Sequence, residues 1–209
     1  MSRPEFEDLP FYDRPDLTPY LIHLTKNTVD ENGRSAFDNL VSILETGKIW
    51  GTGKYIKGPN SAACFMDVPF YSLKYILTEE NTDPNDPRYE PFGVFVLKKY
   101  AYSKGCRPVC YLSDEDVEEI RIPRCELWRV VKLELNDEGC VSWLHEREWR
   151  ATGDFPLPSR RLGVLVRNPT YAEKLQELIA DTPERFKAKR YSVIPLTVLC
   201  QGLPLLRND

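Results

Sequence analysis

Residues 143–150 (Trp-Leu-His-Glu-Arg-Glu-Trp-Arg) bring together two carboxylates at a spacing suited to chemistry. Glu146 and Glu148 stand at positions i and i+2, and in a strand this spacing turns both side chains to one face. Paired carboxylates suit reactions at a sugar's anomeric carbon: one stabilises an oxocarbenium-like cation, and the other polarises or deprotonates the attacking group. The alternative is a charged outer strand face, with Glu and Arg in cross-strand pairs.

A histidine in an apolar run is the second candidate for chemistry. In Tyr-Leu-Ile-His-Leu-Thr, residues 20–25, the alternation of a strand puts His23 and Thr25 on the same face. Such a pair suits the ribose and amide groups of a nucleotide. The alternative is a structural histidine whose ring nitrogens are satisfied by the backbone.

Aromatic residues cluster in the segment over residues 62–71. Phe65, Phe70 and Tyr71 offer ring faces for a base or a nicotinamide. Aromatic side chains at a junction between a strand and a helix are also typical of a core, so packing is the alternative.

Composition indicates a globular chain and excludes several classes. The 209 residues are 42% hydrophobic and 29% charged, with a net charge of -4. This composition is sufficient for a hydrophobic core without disulfide bonds or bound metal. The net negative charge gives no overall attraction to nucleic acid. The glycines match neither Gly-x-Gly-x-x-Gly nor a Walker sequence, which argues against a Rossmann or P-loop enzyme.

The same composition bears on compartment and metals. We expect no membrane partner, because no apolar run reaches the roughly 18 residues that span a bilayer. The acidic, Pro-rich start lacks the apolar stretch of a signal peptide, so a cytoplasmic location is expected. We expect the six cysteines to be thiols there. They have no metal-ligand spacing with His23 or His145, so no metal site is predicted.

Periodicity predicts short helices mixed with short strands, the pattern of one α+β domain. We predict an irregular lead-in over residues 1–19 and a domain over residues 20–209. The clearest helix covers residues 35–45, where Ser35 and Asp38 form a capping box and Gly47 ends the helix. Further helices are predicted over residues 67–77, 113–119 and 169–180, and strands over residues 20–25, 62–65, 93–97, 107–112, 147–153, 161–166 and 192–199.

The order of these motifs resembles two families. A His-x-Thr strand, the helix Asp-Asn-Leu-Val-Ser-Ile-Leu-Glu-Thr-Gly, Asp-Val-Pro-Phe-Tyr and a later Glu that enters a strand resemble DarT-type toxins, which use NAD to ADP-ribosylate single-stranded DNA. Cys-Phe-x-Asp-x-Pro, Phe-Gly-Val-Phe-Val, Gly-x-x-Pro-Val-x-Tyr and Glu-x-Glu-Trp-Arg resemble proteins related to the AbiGi abortive-infection group. Together these resemblances cover about residues 20–200. They imply an ADP-ribosyltransferase-like split mixed sheet with peripheral helices, and NAD as co-substrate.

The resemblance also implies a role for each site residue. Glu148 bonds the ribose hydroxyl and stabilises the cationic transition state, and Glu146 helps to activate the acceptor. His23 and Thr25 hold a ribose and the carboxamide. The remaining implied contacts are nicotinamide stacking by Phe70 or Tyr71, and Asn39, which either contacts the ligand or only caps a turn.

One departure from the DarT pattern leaves the acceptor open. Those toxins carry an Arg shortly after Pro-Phe-Tyr, whereas this chain has Lys74, and Lys54 or Lys57 are other candidate replacements. Lys lacks the planar fork of Arg. The acceptor is therefore an unidentified nucleic acid or protein, and an antitoxin or defence-system partner is implied. The alternatives to a transferase are a catalytically silent nucleotide- or partner-binding module and an NAD glycohydrolase.

Overall fold

A computed structural model describes residues 11, 14–28, 33–83, 85–136, 139–189 and 191–200. The strands within these residues are β1 (Tyr20–Leu24), β2 (Lys48–Ile49), β3 (Ala62–Met66), β4 (Gly93–Leu97), β5 (Arg107–Pro108), β6 (Cys110–Leu112), β7 (Val130–Lys132), β8 (Glu134–Asn136), β9 (Gly139–Val141), β10 (Glu148–Thr152), β11 (Phe155–Pro156), β12 (Leu162–Val166) and β13 (Tyr191–Pro195). The α-helices are α1 (Ala36–Thr46), α2 (Leu73–Ile76), α3 (Lys98–Ser103), α4 (Asp114–Ile120), α5 (Pro169–Asp181) and α6 (Leu196–Leu199).

Within the described residues, a seven-stranded mixed sheet has the order β13-β12-β4-β1-β3-β10-β5. β12 and β13 are parallel, and the other neighbours are antiparallel. Helices lie at the periphery. The predicted α+β class with a mixed sheet and peripheral helices is therefore confirmed.

Two apolar clusters cover the sheet because its strands alternate their side chains. Leu21, Val94 and Val164 belong to the cluster that contains the buried face of α1. Ile22, Phe95 and Leu165 belong to the other cluster, together with residues of α2 and α6.

The start and end of α1 match the sequence prediction. Asp38 N–H donates to Ser35 Oγ at 3.1 Å, and Ser35 N–H donates to the Asp38 carboxylate at 3.2 Å. Gly47 ends the helix in the left-handed region with φ of 67°. Phe37, Leu40 and Leu44 are buried, so the capping box starts the helix with its apolar stripe toward the core.

Three predicted elements differ from the structure. The predicted helix over residues 67–77 starts late, because Pro69 is extended; a 3₁₀ turn at Phe70–Ser72 and the short α2 follow it. Residues 107–112 form two strands, β5 and β6, which lie in different sheets. The last predicted strand ends at Pro195, where α6 begins.

No helix among the described residues combines the length and the apolar character that a membrane crossing requires. The division into a lead-in and a domain stays a prediction, because residues 1–10, 12, 13 and 201–209 lie outside the described part of the chain.

Candidate active site

The large sheet is open between β1 and β3. β1 pairs with β4 over its whole length and β3 pairs with β10 over its whole length, but β1 and β3 share the single register pair Ile22↔Met66. Beyond that pair, His23 Nδ1 lies 2.8 Å from the Cys64 carbonyl oxygen. A side chain thus bridges a gap, here called the seam, where two backbones would otherwise pair.

A cavity of about 570 Å³ opens on the seam, a size typical of small-molecule sites. Residues of β1, β3 and β10 line it, and so do Lys54, Tyr55 and Lys57 from the loop before β3. Val130, Val131, Trp143 and Glu146 line it from later in the chain. This space, the seam cavity, gathers residues that are far apart in sequence.

Glu148 enters the seam cavity from the first position of β10. Its carboxylate accepts from Arg150 Nε at 2.8 Å and from Arg150 Nη2 at 3.0 Å, a bidentate pair. The Glu148 side chain is only 10% exposed, and the Arg150 side chain only 6%. Burial opposes the charge on Arg150, but the hydrogen bonds and the charge of Glu148 outweigh burial and raise the pKa of Arg150.

The contacts of His23 fix its protonation state. A carbonyl oxygen only accepts, so Nδ1 must donate its proton to Cys64 O. Burial lowers the pKa of His23, so the ring is neutral at pH 7 and Nε2 carries a lone pair. Because His23 lines the seam cavity, it offers an acceptor to a hydroxyl or amide donor.

Glu146 reaches the seam cavity by a route that differs from the prediction. It ends a 3₁₀ helix (Leu144–Glu146), and Arg147 then adopts a left-handed conformation with φ of 48° before β10 begins. The prediction that Glu146 and Glu148 share one face of one strand is therefore wrong, because Arg147 interrupts the alternation. Both glutamates nevertheless line the same cavity.

Glu146 is set up differently from Glu148. The Tyr89 phenol donates to a carboxylate oxygen of Glu146. Burial raises the pKa of Glu146, and the charge of Glu148 adds to this, although the Tyr89 hydrogen bond acts in the opposite direction. Glu146 therefore takes up a proton more readily than an ordinary glutamate does.

Thr25 and Asn39 do not line the seam cavity. The buried Thr25 hydroxyl donates to Ala36 O at 2.8 Å and lies 3.2 Å from Phe92 O. Asn39 donates to Lys26 O at 2.8 Å. Strand alternation predicted that Thr25 would face the same way as His23, but β1 ends at Leu24. Both side chains brace the connection between β1 and α1.

Phe70, Tyr71 and Lys74 also lie outside the seam cavity. Phe70 packs on Phe95, with ring centroids 4.8 Å apart, in the core cluster that contains Ile22. The exposed Tyr71 donates its hydroxyl to Pro15 O. The ammonium of the exposed Lys74 sits 4.9 Å from the centroid of the Tyr75 ring. Their positions do not support contact with a ligand in this cavity.

The seam cavity includes residues that the sequence prediction passed over. Phe65, Lys54 and Lys57 were candidates and do line it. Arg150, Tyr89 and Trp143 were not candidates. Period-two alternation was used to place Glu146 on the same strand face as Glu148. It applies to Glu148 and Arg150 instead, because positions 148 and 150 both lie in β10. No local pattern pointed to Tyr89, whose approach to Glu146 depends on a long loop.

No protein-family model matches this sequence, and no curated protein matches it. Three solved structures of Thermus sp. 2.9 DarT are similar in fold. The complex with NAD⁺ is 16% identical, covers 84% of this chain and 95% of its own, and has a TM-score of 0.46. The complex with carba-NAD⁺ is 15% identical, with the same coverage and a TM-score of 0.47. The complex with ADP-ribosylated ssDNA is 15% identical, covers 85% of this chain and 93% of its own, and has a TM-score of 0.48.

Proposed function

We propose that this chain is an NAD-dependent ADP-ribosyltransferase that breaks the bond between nicotinamide and ribose in the seam cavity. One observation carries the proposal. The buried carboxylate of Glu148 and the neutral imidazole of His23 line one cavity from opposite sides of the seam. The motif order that resembles DarT-type toxins supports NAD as the co-substrate.

Glu148 has acceptor capacity left for a substrate. A carboxylate offers about four lone-pair sites, and Arg150 occupies one on each oxygen. The remaining sites accept a ribose hydroxyl and place negative charge beside the cationic sugar as the bond breaks. A fixed negative charge stabilises such a cation more strongly in a site that excludes water than in bulk solvent.

The remaining steps use His23 and Glu146. The electron pair of the broken carbon–nitrogen bond leaves with nicotinamide, and the acceptor forms a new bond to the anomeric carbon. The acceptor proton goes to Glu146, whose raised pKa suits a general base. His23 Nε2 accepts a hydrogen bond from a ribose hydroxyl or the carboxamide. Tyr55 and Trp143 supply rings at the cavity for stacking.

The acceptor is a nucleic acid or a protein. Lys54, Lys57 and Lys132 line the seam cavity and bring positive charge to its rim, although Lys57 and Lys132 pair with Asp114. The sequence resemblance extends the proposal to a bacterial toxin or phage-defence effector in the cytoplasm, with an antitoxin or defence-system partner. Single-stranded DNA is the first acceptor to test, and water as acceptor would make the protein an NAD glycohydrolase.

A second candidate is a silent module that binds a nucleotide or a partner. It is favoured by the positions of Phe70 and Tyr71, which leave the predicted stacking surface outside the cavity. It is also favoured by the pairing of both Glu148 oxygens with Arg150.

Nicotinamide release from NAD by the wild type and the Glu148→Gln variant separates the two candidates. The substitution keeps the size of the side chain and removes its charge. We expect a loss of about 100-fold in rate, equal to about 2.7 kcal/mol of barrier. Glu134→Gln is the matched control, because Glu134 also pairs with a cation, Lys132 at 2.9 Å, but does not line the seam cavity.

Each outcome of this assay decides something. Release by the wild type and by Glu134→Gln, with loss in Glu148→Gln, supports the enzyme. Equal release by all three proteins means that another group carries the chemistry. No release, with single-stranded DNA, RNA and a cell lysate offered as acceptors, supports the silent module.

A further inference from the structure

We propose that Arg150 is a positioning residue that holds the Glu148 carboxylate in one orientation toward the sugar. The inference rests on the proposed function, and it assigns a role to Arg150, to which the family resemblance gave none. It starts from the bidentate pair at 2.8 Å and 3.0 Å between two residues that line the seam cavity.

The guanidinium of Arg150 is itself fixed by a second part of the chain. Nη1 donates to Trp128 O at 2.9 Å and lies 3.2 Å from Val130 O. Trp128 and Val130 are buried, and they belong to a 3₁₀ helix (Arg124–Arg129) and to β7, respectively. The Arg150 backbone pairs with Cys64 in β3 and with Arg107 in β5. Arg150 is therefore held at both ends, and a group held at both ends can orient its partner.

The shape of the guanidinium then determines what it does for Glu148. Two parallel N–H groups that meet two carboxylate oxygens fix the plane of the carboxylate as well as its place. An ammonium in the same position would supply charge without that plane. A catalytic carboxylate has to be held within about 0.5 Å of its working geometry, and the fork of Arg150 provides that restraint.

Arg107 offers a matched control on the neighbouring strand. It is the register partner of Arg150, and its Nη1 also donates to backbone carbonyls, Tyr102 O at 2.8 Å and Cys106 O at 2.7 Å. Arg107 does not line the seam cavity. Replacing it removes a sheet arginine with comparable anchors and leaves Glu148 and Arg150 in place.

The test measures kcat and KM for NAD in nicotinamide release, with a thermal melt of every variant to confirm folding. We expect kcat of Arg150→Met to fall about 100-fold with KM within about threefold, the pattern of an interaction used only in the transition state. Arg150→Lys should recover about tenfold of that loss, because it restores the charge without the fork. Arg107→Met should stay within about twofold of the wild type.

Other patterns overturn the inference. A wild-type kcat in both Arg150 variants removes the positioning role. So does a loss that appears only in KM, or a loss of the same size in Arg107→Met. If Arg150→Met does not fold, Arg150→Lys decides: a lowered kcat at unchanged KM supports the role, and a wild-type kcat refutes it. A wild type that releases no nicotinamide overturns the proposed function itself, together with this inference.

Discussion

Asp67 and Glu148 are two buried carboxylates that differ in what they face. Asp67 lies 2.7 Å from Lys98 Nζ and 3.8 Å from Arg147 Nη2, and it accepts from Trp149 Nε1 at 3.2 Å. Glu148 is bound as closely, by Arg150. Glu148 lines the seam cavity, and Asp67 does not. Burial and pairing therefore do not by themselves mark a candidate catalytic carboxylate; access to a cavity distinguishes Glu148 from Asp67.

The alternation of β10 produces this difference. Glu148 and Arg150 point to the seam cavity, whereas Trp149 between them reaches back to Asp67. Arg147, just before the strand, also approaches Asp67. One short strand thus serves a structural ion pair on one face and a candidate catalytic pair on the other.

The largest expected effect is a loss of stability in Asp67→Asn, and this variant tests whether Asp67 is structural while Glu148 is catalytic. This change leaves the buried Lys98 ammonium without its counterion, and burial already lowers the pKa of Lys98. We expect a loss of about 3 kcal/mol in the free energy of unfolding, measured with urea. Nicotinamide release per folded molecule should stay within about twofold of the wild type. A 100-fold loss per folded molecule would put Asp67 in the chemistry and end the distinction.

The pH dependence of stability tests His23, which lines the seam cavity from β1, on the other side of the seam from Glu148. The pKa of His23 is lowered in the folded protein, so below its ordinary value of about 6.5 the unfolded chain binds more protons than the folded chain. The contribution of the neutral ring is therefore complete above about pH 6.5 and is lost as pH falls toward the lowered value. We expect the stability of the wild type relative to His23→Gln to rise between about pH 5 and pH 7.

Urea unfolding of both proteins across this pH range measures that difference. The raised pKa of Glu146 gives a slope of opposite sign, but it is present in both proteins and cancels. A difference that does not change with pH would mean that the His23 ring is not held neutral at the seam.

The smallest expected effect concerns Tyr71, which the family resemblance gave, as an alternative to Phe70, as the residue that stacks on nicotinamide. Tyr71→Phe removes the hydrogen bond to Pro15 O and keeps the ring. We expect a loss of about 0.5 kcal/mol or less in the free energy of unfolding, because the side chain is exposed. The rate of nicotinamide release should not change. A marked fall in that rate would return Tyr71 to the site.

Local signals in the sequence predicted much of the scaffold. The capping box at Ser35, the left-handed Gly47 and the apolar run at Gly93–Leu97 each specify their own element, so α1 and β4 lie where they were expected. Glu148 and His23 lie in β10 and β1, the strands in which the sequence placed them, and both line the seam cavity.

The rest of the site depends on contacts that no local pattern encodes. Tyr89 meets Glu146 across 57 positions of sequence, and the anchor of Arg150 at Trp128 spans 22. The errors have local causes: β1 ends before Thr25, Pro69 delays a helix, and Arg147 adopts a left-handed conformation. A left-handed arginine is unusual enough that period-two alternation was the natural expectation.

The seam also bears on the cooperativity of unfolding. The sheet consists of β13-β12-β4-β1 on one side and β3-β10-β5 on the other, joined by one register pair and the bond from His23 to Cys64. Because the backbones pair so little across the seam, the two halves are joined mainly by side chains of the two apolar clusters, which contain residues of both halves. Residues of both halves line the seam cavity, so a molecule bound there adds contacts across the seam and strengthens the coupling between the halves during unfolding.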